Sequence, residues 1–183
     1  RVYGGTTGKV ANLFVYSPII LPFPYSRVAL RINRSFLLRA LRRWMKVAGF
    51  ARPLAWTFLP TPLARDVIRD LDPELIVYYC IDDLASSSPS ARRVSRSEAQ
   101  LFREADLVFV TSQQLRDRAR QFTDRVHVFP FGVDFEKFQR VRRESGDPPP
   151  ELAPVARPVA GYVGGIHHWV DQELLADVAS KGG

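Results

Sequence analysis

Apolar and polar positions fall into short alternating blocks along this chain. ANLFVY (11–16), LAWTFL (54–59), LIVYYC (75–80), DLVFV (106–110) and RVHVF (125–129) are apolar, β-branched and aromatic runs that stop at polar or turn residues, and they read as strands. Helical patterns separate them. Ser26 caps one that runs to about Ala48 and ends at Gly49. Thr61 caps a second, with Pro62 in its first turn, that reaches Leu71 before Asp72-Pro73. A third spans about Arg92 to Ala105, and a fourth, QQLRDRARQF (113–122), follows Thr111-Ser112. Four or more strand–helix alternations with short connections call for a parallel sheet covered on both faces, so residues 1–140 are expected to form a doubly wound α/β domain. Arg1 to Val10 do not supply the opening strand and turn that such a sheet commonly begins with.

The pattern changes at residues 141–158, VRRESGDPPPELAPVARP, where proline is frequent and large apolar groups are few; this reads as a linker. Beyond it, Val159 to Val163 is expected to be a strand, Gly164-Gly165 a turn, and DQELLADVASK a helix capped at Asp171. A strand, a turn and one helix cannot bury their own apolar faces. Residues 159–183 are therefore expected to be the first βα unit of a second domain whose remainder lies outside this sequence.

Charge adds an asymmetry. Residues 1–65 hold eleven Lys and Arg and no acid, whereas residues 66–183 hold fifteen basic and nineteen acidic residues, so a net +7 divides into +11 and −4. A field of one sign attracts phosphates, nucleic acid or an anionic membrane, although the arginine share, 22 of 26 basic residues, is also what gene base composition can produce. Within that segment the helix 26–48 carries Leu30, Leu37, Leu41, Trp44 and Ala48 on one stripe. Arg31, Arg34, Arg39, Arg42, Arg43 and Lys46 spread over the other side. Two readings stand: arginines that simply face water, or a basic face, with Arg34, Arg39, Arg42, Arg43 and Lys46 as membrane-facing residues, resting on anionic lipid at the cytoplasmic side. SPIILPFPYS (17–26), with three prolines, is a stiff loop leading into this helix.

Asp82 and Asp83 end the apolar run 75–81. The carboxyl ends of parallel strands are where ligands bind, which makes this pair the first candidate for chemistry; the alternative is a helix cap or a solvated turn. His167, His168 and Asp171 make a poor metal set, because neighbouring side chains diverge and no further ligand cluster accompanies them. No Gly-x-Ser-x-Gly elbow, Walker loop or Gly-x-Gly-x-x-Gly fingerprint is present, which removes the main support for hydrolase and dehydrogenase chemistry. No apolar run approaches the ~20 residues a spanning helix requires. The single Cys80 excludes an internal disulfide framework.

YYCIDD, EADLVFVTSQQL, VFPFGVDFEKF, the proline-rich link and RPVAGYVGG, in that order and spacing, resemble the middle of a GT-B glycosyltransferase close to family 4. PFPYSR with Asn33 resembles an upstream block of its bacterial exopolysaccharide-type members. The resemblance implies a Rossmann-like acceptor-side domain, the N-terminal half of the GT-B fold, followed by the start of a donor-side domain. It also implies transfer of a sugar from a nucleotide-sugar to a lipid-linked or polysaccharide acceptor, with no metal and no cofactor beyond the donor. Asp82 and Asp83 then stand where the family often has a polar residue or histidine facing the cleft. Thr111 and Ser112 match a polar pair ending the next strand, with a helix cap as the alternative. Gly132 and Asp134 match a turn in which Phe131 replaces the usual asparagine. Gly164 and Gly165 match a turn where backbone amides approach a diphosphate, with His167 beside them. The competing readings are a non-catalytic Rossmann-like module that holds a polyanion, for which no nucleic-acid motif speaks, and a GT-B-like nucleotide-sugar epimerase.

Overall fold

The computed structural model describes residues 14–84, 91–144, 146, 149–152, 154–155, 159, 161–166 and 170–181. The chain divides into two compact units, Arg1–Phe131 and Gly132–Gly183. The first holds helix α1 (Arg27–Ala48), strand β1 (Leu54–Thr57), helix α2 (Pro62–Asp70), strand β2 (Leu75–Cys80), a 3-10 turn (Ala91–Val94) leading into helix α3 (Ser95–Glu104), strand β3 (Leu107–Val110), helix α4 (Gln113–Ala119) and strand β4 (Val126–Val128). The boundaries follow local chemistry. Ser26, Thr61 and Ser112 accept hydrogen bonds from the amides of Ala29, Ala64 and Leu115, which satisfies donors that have no partner inside the helix. Gly49 closes α1 at φ 76°, a conformation in which a side chain would be strained.

The four strands are parallel and lie in the order β1-β2-β3-β4. This is an α/β arrangement of Rossmann-like character, as the alternation of strands and helices predicts. The described strands follow sequence order, so they make up one wing of such a sheet, without the reversal that marks a switch point. Successive βαβ units crossing with one hand put their helices on one side. Tyr78, Cys80, Val108, Val110 and Val126 form the core there with Leu101, Phe102 and Ala105 from α3 and its end, and with Leu115 and Ala119 from α4. Phe102 lies parallel to Phe122 and tilted against Tyr78, with centroids 5.6 and 5.1 Å apart.

The opposite sheet face carries rings. Trp56 stacks on Phe109 at 5.7 Å, Tyr79 stands edge-on to both, and Phe109 meets His127 and Phe129. Tyr79 is held by its hydroxyl, which donates to the Phe129 carbonyl at 2.8 Å. Trp56 remains 49% exposed and Phe129 62% exposed, so this face is not covered in the way the apolar strands suggested.

Helix α1 packs on α2. Arg34 binds the Asp70 carboxylate, and Arg42 donates to the Asp70 backbone carbonyl at the carboxyl end of α2, where a cation is favoured. Two of the five residues expected to face a membrane therefore hold α1 to its neighbour. Asn33, buried at 3% exposure, uses both ends of its amide on the proline-rich loop: it accepts from the Leu21 amide at 2.9 Å and donates to the Leu21 carbonyl at 3.1 Å. Phe14 to Tyr16, expected to be strand, are not; a strand exists through pairing, and Phe14 packs edge-on to Trp44 of α1. Residues 11–13 of that run, and Arg1 to Val10, lie outside the described residues.

The second unit contains helix α5 (Phe135–Arg143), a 3-10 turn (Pro150–Leu152) and helix α6 (Gln172–Lys181), none with a buried residue. Helix α5 runs through Val141–Arg143, read above as linker, and falls in this unit rather than in the first. Val159 and residues 161–163 are not strand, since no partner strand is present among the described residues of the unit to complete a ladder. Asp171 caps α6 as expected, accepting from the Leu174 amide at 2.9 Å.

The guanidinium of Arg34 holds the Asp70 carboxyl below the usual carboxylate range. A carboxyl lowered by folding contributes stability that is fully present above its unfolded value, near pH 4, and is lost as the pH falls through its folded value. Asp70→Asn is expected to cost about 1 kcal/mol at neutral pH, the pair being partly solvated. It should also remove that component of the acid-side loss, as read by urea denaturation at several pH values.

Candidate functional site

At the carboxyl ends of β2 and β3 a hollow of about 270 Å³ opens among Asp82, Asp83, Thr111, Ser112, Gln114 and Arg118. The register Cys80↔Val110 brings the two strand ends level, so the acids after β2 and the hydroxyls after β3 meet on one rim. The four residues have different partners. Thr111 donates its hydroxyl to the Ile81 carbonyl at 3.0 Å and ties the two strand ends together. Ser112 is the N-cap of α4. Ser112 thus has the cap role named above as the alternative to ligand contact, while Thr111 is no cap and instead links neighbouring strand ends.

The two acids also separate. Asp83 is paired with Arg118, Nη1 to Oδ1 at 2.7 Å. Asp82 is exposed; its Oδ1 accepts the Asp83 amide at 2.8 Å, a local turn contact, and its Oδ2 has no protein partner among the described residues. A carboxylate with one oxygen fixed and the other open can accept a hydrogen bond, or a proton, from a hydroxyl in the hollow. Of the pair, Asp82 is the group available for chemistry.

Behind the hollow lies a feature not anticipated from the sequence. Glu98 of α3 is 1% exposed. Arg118 of α4 reaches it through Nη2 while holding Asp83 through Nη1, and the Tyr78 hydroxyl donates to Glu98 Oε1 at 2.8 Å. The Cys80 thiol lies 3.9 Å from the same oxygen. Burial raises the ionisation of Tyr78 far above the ordinary phenol range and pushes the Cys80 thiol up to about 11, so both remain neutral beside the buried carboxylate and Cys80 is not an activated nucleophile. The sequence did carry a signal. Glu98 occupies the apolar stripe of α3, at the spacing i, i+3, i+4, i+7 with Leu101, Phe102 and Ala105, and an acid on such a stripe requires a buried partner.

The remaining candidates lie in the second unit. Asp134 caps α5, accepting from the Lys137 amide at 3.0 Å. Gly132 adopts no left-handed conformation, and a Cβ there would meet nothing within 4 Å, so no tight turn demands glycine at that position. At Gly164 a Cβ would come within 3.0 Å of the Tyr162 hydroxyl, which donates to the Gly165 carbonyl at 3.1 Å. The glycine turn is thus crossed by a side chain of its own unit. His167 and His168 lie outside the described residues. Among the described residues no group of three or more His, Cys, Asp or Glu side chains could hold a metal ion. No protein-family model matches the chain, and no curated protein is detectably similar to it.

Arg118→Met would leave Glu98 buried without its counter-charge and is expected to cost about 3–5 kcal/mol of stability. Glu98→Gln combined with Arg118→Met should recover most of that loss in urea unfolding. Equal losses in the single and the double variant would show that packing of the arginine stem, not charge, is what matters.

Proposed function

We propose that the chain forms the acceptor-side part of a glycosyltransferase of the GT-B type, in which a sugar passes from a nucleotide-sugar to a hydroxyl of a glycan or lipid-linked acceptor. The observation that carries this reading is the open carboxylate of Asp82, at the carboxyl edge of a parallel sheet and in a polar hollow, where the blocks resembling that family coincide with the strand ends. Asp82 takes the proton of the acceptor hydroxyl as the new bond forms between that oxygen and the anomeric carbon. The bond from the anomeric carbon to the nucleoside diphosphate breaks, and the electron pair leaves with the phosphate. Asp83, engaged by Arg118, fixes the loop that presents Asp82. Gln114, whose side-chain amide both donates and accepts, suits the many hydroxyls of a sugar.

Asp82→Asn is expected to lower nucleoside diphosphate release in the presence of acceptor by about a hundredfold or more, the usual loss for a proton-accepting group. The fold should be unchanged by circular dichroism. Wild-type release from Asp82→Asn would remove the assignment of Asp82. A chain that bound oligonucleotides and no nucleotide-sugar or saccharide would favour the polyanion-holding module instead.

A further inference from the structure

The outward side of α1 is not the purely basic surface that the helical wheel suggests. Val28, Ile32 and Phe36, spaced four residues apart, are 66%, 51% and 51% exposed, and Val47 is 83% exposed. Between them stand Arg31, Arg39, Arg43 and Lys46, all exposed and with no ion pair among the described residues. The proline-rich loop, tethered to this helix through Asn33 and Leu21, adds Ile19 at 94% and Phe23 at 61% exposure. Along the last turns of α1 an apolar hollow of about 510 Å³ is walled by Phe14, Leu41, Trp44 and Val47, with Arg43 beside them.

We infer that this surface docks on an anionic lipid bilayer, the apolar side chains of α1 and of the loop entering the headgroup–acyl boundary while Arg31, Arg39, Arg43 and Lys46 bind lipid phosphates. Large apolar groups interleaved only with cations, on a helix without a single acid, is the composition of a helix lying in a membrane interface. Long basic side chains suit that position because their stems stay in the apolar layer and their charges reach the headgroups. Nucleic acid would match the cations but leave Ile19, Ile32 and Phe36 in water. No described helix is long and apolar enough to cross the bilayer, so the association is with its surface. Arg34 and Arg42, engaged with Asp70, are not part of it. The inference stands apart from the sugar-transfer reading, since it requires no catalysis.

The test is sedimentation of the chain with phosphatidylcholine vesicles, with and without phosphatidylglycerol. Binding is expected to be about tenfold stronger on the anionic vesicles and to persist in part at high salt, because the apolar contribution is not screened. Arg39→Glu with Arg43→Glu and Lys46→Glu should abolish the preference for anionic lipid. Ile32→Ser with Phe36→Ser should leave only binding that salt removes. These positions are exposed, and an unchanged circular dichroism spectrum confirms that the variants fold. Equal binding to neutral and anionic vesicles would overturn the inference. So would wild-type binding by the Ile32/Phe36 variant, self-association that these same substitutions dissolve, or an oligonucleotide competing fully with the vesicles at high salt.

Discussion

One guanidinium in contact with two carboxylates sets the architecture around the hollow. Glu98 has almost no access to water, and an unpaired charge in such a position is far too costly to persist. Arg118 neutralises it, and the Tyr78 hydroxyl satisfies one of its oxygens. Because Tyr78 comes from β2, Glu98 from α3 and Arg118 from α4, compensating this one charge ties these three elements together. The second arm of Arg118 reaches Asp83, so the loop that ends the central strand inherits the same constraint. The Asp82 carboxylate beside it is thereby positioned by the core rather than by the surface.

Much of this was legible in the sequence, and the reasons are local. Ser26, Thr61, Ser112 and Asp171 announced the starts of four helices because a capping oxygen acts within three residues of its own position. The apolar runs at 75–80 and 107–110 announced strands because both are buried in the middle of the sheet. What escaped was nonlocal. Strand order depends on which strands neighbour one another, and alternation of strand and helix is the same for a sheet wound one way or two. Residues 14–16, 159 and 161–163 have strand-like composition, but a strand needs a partner, and composition cannot report one.

At the site, the sequence marked Asp82 and Asp83 as a pair, and the structure gives them unequal roles through a partner 35 positions away at Arg118. The helix 27–48 shows the same limit. Its wheel separates basic from apolar residues, yet Arg34 and Arg42 turn toward Asp70, while Val28, Ile32 and Phe36 turn outward. Which arginines are structural and which are free for a partner was decided by the acid on the next helix, a fact of tertiary packing.

The ring-bearing face of the sheet has a thermodynamic consequence. Trp56, Phe58, Phe129 and Phe131 are hydrated while the chain is folded, so unfolding brings less new hydrocarbon into water than a sheet screened on both sides would. The heat capacity gained on unfolding, about 12–15 cal/mol/K per residue in ordinary domains, is correspondingly smaller here. A smaller heat-capacity change lowers the curvature of stability against temperature.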